Sequence, residues 1–129
     1  MKECTGMAGN LYQIETVRVL ECSPEGAPLR TGRDATDLIA AARSENAAMV
    51  AIPVARLHAD FFRLKTGVAG EFVQKFVTYG VRLAIVGDIS RYVEESSSLR
   101  DFVYECNKGN GAWFADDRGE LEKKLRLRG

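Results

Sequence analysis

Histidine occurs once in the 129 residues, at position 58, and the three cysteines, Cys4, Cys22 and Cys106, form no Cys-x-x-Cys pair. A single imidazole leaves little from which to assemble a His-based metal site or a catalytic triad. An odd, scattered set of thiols suits a reducing compartment better than a disulfide framework. Neither charge is in excess: eighteen Lys and Arg balance eighteen Asp and Glu, so no global field draws the chain to nucleic acid or anionic lipid. No apolar run approaches the roughly 20 residues of a membrane span. The opening Met-Lys-Glu-Cys-Thr-Gly-Met-Ala-Gly-Asn lacks a signal peptide's apolar segment. These absences predict a cytoplasmic protein that binds neither nucleic acid nor membrane and carries neither metal nor cofactor. Residues 1–10 read as a disordered leader and 11–129 as a single α/β domain.

What is present is a core-forming pattern; the apolar fraction of 46% is that of a globular chain. Tyr12 to Glu21 is rich in β-formers, but its alternation slips between Ile14 and Val17, as at a bulge or between two short strands joined by a kink. Ser23-Pro24-Glu25-Gly26 is a turn signal, and residues 27–30 are expected to form a strand antiparallel to the first. Thr31 and Asp34 have capping-box spacing, and Ala35, Leu38, Ile39 and Ala42 follow as one apolar helix face. Met49 to Ile52, closed by Pro53, reads as a strand buried on both faces. Val54 to Phe62 reads as a helical turn plus loop.

A second helix places Ala69, Phe72, Val73, Phe76 and Val77 on its apolar face and ends at Gly80, a left-handed C-cap. Val81 to Val86 is a central strand. A further helix over 97–107 puts Leu99, Phe102, Val103 and Cys106 on one face; Asn110-Gly111 turns into a strand over 112–115, and Leu121 and Leu125 mark a last helix. The expected fold is therefore a mixed five-stranded sheet with flanking helices in the order β-β-α-β-α-β-α-β-α.

Two short stretches carry the candidate chemistry. In Thr66-Gly67-Val68-Ala69-Gly70-Glu71, Lys65 stands where a dinucleotide fingerprint needs its first glycine. A P-loop needs lysine where Glu71 stands, and that carboxylate would repel a bound phosphate. Three readings remain for the stretch. In one, Thr66 caps the helix, Glu71 complements its dipole, and Gly67 and Gly70 bring the loop close to the sheet. In another, Thr66 is an exposed hydroxyl whose phosphorylation gains backbone donors at the helix start. In the third, Thr66 belongs to a ligand crevice shared with Asp88, Arg91 and Tyr92 at the strand ends. For Asp88 the alternative is a cap on the next turn. His58 with Asp60 is a structural pair lacking a nucleophile elbow. Cys106 is a core thiol, and Arg100, Asp101 and Glu105 form a solvated helix face. No residue set specifies a reaction.

The blocks DFFRLKTGVAGEFVQKFVTYGVRLAIVGDISRY and SLRDFVYECNKG resemble the signature of a bacterial family of uncharacterised proteins, domain of unknown function 4180, over roughly residues 11–127. The resemblance implies a small cytoplasmic bacterial protein and brings no catalytic residues. The element order is also similar to the STAS domain of anti-sigma-factor antagonists, which carry a regulatory Ser or Thr at the start of the second main helix. Thr66 is the topological match, although the chain reads Leu64-Lys65-Thr66-Gly67 where those proteins carry Asp-Ser-Ser/Thr-Gly. That resemblance implies a non-enzymatic regulatory module that binds a partner protein. The alternative is a small-ligand-binding or enzymatic domain built on the strand-end crevice. A homodimer is compatible with the exposed β-edges.

Overall fold

The computed structural model of the protein describes residues 10–128. The leader expected over 1–10 therefore lies outside the described residues, except for Asn10, which opens the first strand. In chain order the elements are β1 (Asn10–Ile14), β2 (Val17–Glu21), α1 (Gly32–Ser44), β3 (Met49–Pro53), α2 (Val68–Tyr79), β4 (Arg82–Val86), α3 (Ser90–Glu95), α4 (Ser97–Lys108), β5 (Ala112–Ala115) and α5 (Arg118–Arg128). Three short 3-10 turns, Val54–Arg56, Ala59–Phe62 and Leu64–Thr66, connect β3 to α2.

The strands lie in the order β1-β2-β3-β4-β5, the first pair antiparallel and the others parallel. Because the order never reverses, right-handed crossovers set α1, α2 and the α3–α4 pair on one face. There Leu20, Val50, Ile52, Leu83, Ile85 and Phe114 pack against Leu38, Phe72, Phe76 and Leu99. The opposite face is covered by α5, whose Leu121 and Leu125 close over Val19, Met49, Ala51, Ala84 and Trp113. The strand β3 is thus buried on both sides, as its unbroken apolar run requires. Arg118 of α5 lies 3.6 Å above the Tyr12 ring and Arg126 pairs with Glu15 at 3.4 Å, so the helix reaches back to the β1–β2 hairpin. Among the described residues no helix is long and apolar enough to cross a membrane.

Most expected elements are found; four details differ. The slip between Ile14 and Val17 does separate two short strands, but the join is a chain reversal and not a kink: the two residues pair across a tight hairpin in which Glu15 takes φ 56°. The second strand expected over 27–30 does not form, and Leu29 makes only a single parallel bridge to Leu57. The cause is Arg56, 3% exposed, whose Nε donates to Ala27 O at 2.9 Å and Nη1 to Ser23 O at 3.0 Å. A buried guanidinium must be satisfied, and these carbonyls are diverted from any sheet to satisfy it. Gly26, at φ 124°, lies directly against that guanidinium.

Val77 is 59% exposed rather than part of the apolar face. At 3.6 residues per turn it sits about 80° round the helix from Ala69, beyond the stripe of Ala69, Phe72 and Phe76. Finally, α3 is a separate six-residue helix in a stretch with no apolar periodicity to announce it.

Candidate functional site

Parallel pairing puts the carboxyl ends of β2, β3, β4 and β5 on one edge of the sheet, and the residues singled out from the sequence lie in the loops and helix starts that follow them. Thr66 ends the third 3-10 turn. Its Oγ is 2.7 Å from the carbonyls of both Asp60 and Arg63, and it accepts the Val68 N–H at 3.3 Å. One hydroxyl proton serves the two carbonyls in turn. Thr66 is therefore not the cap of α2. That position belongs to Gly67, at φ 82°, with no side-chain bond to the helix. Nor do Gly67 and Gly70 allow a close approach to the sheet, for an added Cβ at either meets nothing within 4 Å. Gly67 is required for its left-handed backbone, and both residues are exposed.

Glu71 stands in the first turn of α2, and its carboxylate lies directly against Gly32, the first residue of α1. One negative charge thus sits at two helix N-termini. Gly87, at φ 141°, presses on the Val54 side chain, which would lie 2.8 Å from an added Cβ. This contact joins the ends of β3 and β4. The exposed Asp88 accepts the Ser90 N–H at 2.9 Å. Hydrogen bonds from the Ser90 backbone and hydroxyl hold its carboxyl below the usual range. Arg91 donates to Tyr92 Oη at 2.9 Å and lies 4.8 Å over its ring. Tyr92 in turn stacks on Phe62, at 4.2 Å between centroids and 9° between planes.

These contacts divide the candidates. Asp88 lines a crevice of about 440 Å³ with Ile89, Arg100, Asn107, Phe114 and Asp116. Tyr92 lines a groove of about 470 Å³ with Phe62, Arg63, Lys65 and Ser96. Thr66 and Arg91 line neither, and Thr66, Gly67 and Gly70 form an open surface of their own. The crevice expected around Thr66, Asp88 and Arg91 is therefore built by other residues around Asp88.

The sequence reading missed Arg100, Asn107 and Phe114 as its walls. Arg100 reads as a solvated helix residue and Asn107 as the end of the same helix. Asn107 Oδ1 instead accepts the Phe114 N–H at 2.8 Å, closing a donor on the β5 edge. Their convergence depends on β4 and β5 lying side by side, which no local pattern encodes.

His58 Nδ1 accepts the Asp60 N–H at 3.0 Å and lies 3.7 Å from that residue's carboxylate, with no nucleophile in the pair. Burial pushes the Cys22 thiol up to about 12 and raises that of Cys106 as well, so neither is poised as a thiolate at neutral pH. Among the described residues no three His, Cys, Asp or Glu side chains come together as a metal site.

No curated protein and no solved structure matches the chain. Residues 14–125 match the family model described as Domain of unknown function (DUF4180), and the chain belongs to that family.

Proposed function

We propose that the chain is a non-enzymatic, STAS-like regulatory module that meets a partner protein through the surface formed by Thr66, Gly67, Gly70 and Glu71. The observation that carries this reading is the open start of α2. Gly67 and Gly70 face open space, the cap residue itself offers no side chain, and Thr66 Oγ holds only the Val68 N–H, at 3.3 Å. Backbone at a helix start is both polar and approachable there. The element order agrees with the reading, since α2 follows β3 as the regulatory helix does in the resembling domains. Phosphorylation of Thr66 would break its bonds to the Asp60 and Arg63 carbonyls and put a dianion at the positive end of α2.

The test is capture of proteins from the native host with the wild type, Thr66→Glu and Gly70→Arg. The two variants are expected to lose a protein that the wild type retains, with the thermal midpoint unchanged for Gly70→Arg, whose side chain points into open space. Identical capture by all three would sink the reading.

A second reading is favoured by the crevice beside Asp88, whose volume falls within the range of small-molecule sites. In a screen of small polar metabolites by amide chemical shifts, it expects changes clustered at Asp88, Asn107 and Phe114. Shifts confined to Thr66–Glu71 would count against it.

A further inference from the structure

We propose that His58 is a proton-operated clasp on the Thr66 loop. The only imidazole of the chain stands at the start of the Ala59–Phe62 turn. That position is usually filled by Ser, Thr, Asn or Asp, which accept a free N–H of the first turn. Here Nδ1 accepts the Asp60 N–H at 3.0 Å. A ring nitrogen accepts only while it carries no proton, so in this arrangement the neutral ring holds its proton on Nε2.

The carbonyl of the same Asp60 accepts the Arg63 N–H at 3.1 Å and lies 2.7 Å from Thr66 Oγ. Asp60 therefore takes the imidazole on its N–H and the threonine on its C=O. The two bonds share one residue's φ and ψ, and a change at one is felt at the other.

Protonation at Nδ1 turns the acceptor into a donor. The bond to the Asp60 N–H becomes a donor–donor contact, while the ring gains attraction to Asp60 Oδ2, 3.7 Å away. Among the described residues the ion pairs put this carboxylate beside the ring and, behind it, Arg63, whose Nη1 is 3.4 Å from Oδ1. The β2–α1 loop meets the residue through Leu29, whose carbonyl accepts the His58 main-chain N–H at 3.0 Å. The turn is anchored by that bond to Leu29 on one side and by the buried Phe61 and Phe62 on the other, so the peptide between Ala59 and Asp60 is the part expected to rotate. The loop is accordingly clasped while the ring is neutral and released once Nδ1 carries a proton, whether or not Thr66 meets a partner.

Nitrogen-15 NMR of the full chain between pH 5 and 8 decides the matter. Above the imidazole titration the ring is expected as the Nε2–H tautomer. As it titrates, the Asp60 amide proton moves upfield with the midpoint of the ring. The protection factors of the Asp60 and Val68 amides, corrected for intrinsic exchange, fall by about fivefold to tenfold, as for one lost hydrogen bond. His58→Asn supplies an acceptor that does not titrate, and its Asp60 and Val68 protection is expected to stay flat over the range. An Nδ1–H tautomer in the wild type, an Asp60 amide that ignores the ring titration, or pH dependence surviving in His58→Asn each overturns the proposal. The two wild-type readouts stand even if the variant folds poorly.

Discussion

Two helices begin at the same dipeptide, and the two starts are built differently. At Thr31-Gly32 the threonine is the cap of α1. Its Oγ accepts the Asp34 N–H at 3.1 Å, and Asp34 Oδ2 accepts the N–H groups of Arg30 at 2.8 Å and Thr31 at 3.0 Å. At Thr66-Gly67 the threonine sits one residue too early, and the glycine is the cap of α2. Two neighbours account for the difference. Three residues after Thr31 stands a carboxylate that returns the bond; three residues after Thr66 stands Ala69. Before Thr66 runs a 3-10 turn whose carbonyls take its hydroxyl, whereas Thr31 follows extended chain. A helix-start threonine is thus assigned by what lies three residues to either side. The starts also touch, because Glu71 of the open one lies against Gly32 of the closed one.

The sharpest way to break this comparison is to give each glycine a side chain. Gly67→Val forces a β-branched residue into φ 82° and is expected to cost about 2 kcal/mol. Gly32→Ala needs only the flexible Glu71 carboxylate to swing aside. The helix propensity gained by alanine offsets that shift, leaving stability within about 0.5 kcal/mol of the wild type. Urea unfolding midpoints at constant slope measure both, and equal losses would mean that the backbone of Gly67 is not what distinguishes the second start.

Next come the threonines. Thr31→Ala removes a side-chain cap and is expected to cost about 1 kcal/mol. Thr66→Ala removes one bond to carbonyls that each keep a main-chain N–H partner, Arg63 N–H for Asp60 and Thr66 N–H for Arg63. Its cost should be about 0.5 kcal/mol. If Thr66→Ala proved the more damaging, the roles assigned to the two hydroxyls would be reversed.

The closed start was legible in the sequence because every part of it is local. Thr31, Asp34 and the run Ala35, Leu38, Ile39, Ala42 fall within twelve residues, and all four apolar positions are buried. The same holds for α4, where Ser96 caps through the Leu99 N–H, and for β3. What was not legible depends on distance along the chain. Arg56 reaches Ala27 across 29 residues and so cancels a strand that composition favoured locally. The crevice needs Asp88, Arg100 and Phe114 from three separate elements. Of the three readings of Thr66, the cap fails because the 3-10 turns leading up to it carry no periodic signal, and those turns decide where its hydroxyl points.

The smallest expected difference between the two starts is in their response to acid. Asp34 is partly desolvated, which alone would raise its carboxyl pKa. The N–H groups of Arg30 and Thr31, the Thr31 hydroxyl and the nearby Arg56 charge together outweigh this and lower it. A folded value below the unfolded one means that the unfolded chain binds the proton more readily. Asp34 therefore contributes stability above the unfolded carboxylate value of about 3.9, and that contribution is lost as the pH falls through the lower folded value. Asp34→Asn is expected to be less stable than the wild type at pH 7, with the gap narrowing on acidification toward pH 3. The position of matching spacing in the second start, Ala69, has nothing to titrate, so Ala69→Ser should differ from the wild type by the same amount at both values. Denaturant midpoints at the two pH values give both comparisons. An Asp34→Asn gap that stays constant would show that the two N–H bonds to Asp34 do not depend on its charge, and the closed start would then owe its stability to the Thr31 hydroxyl alone.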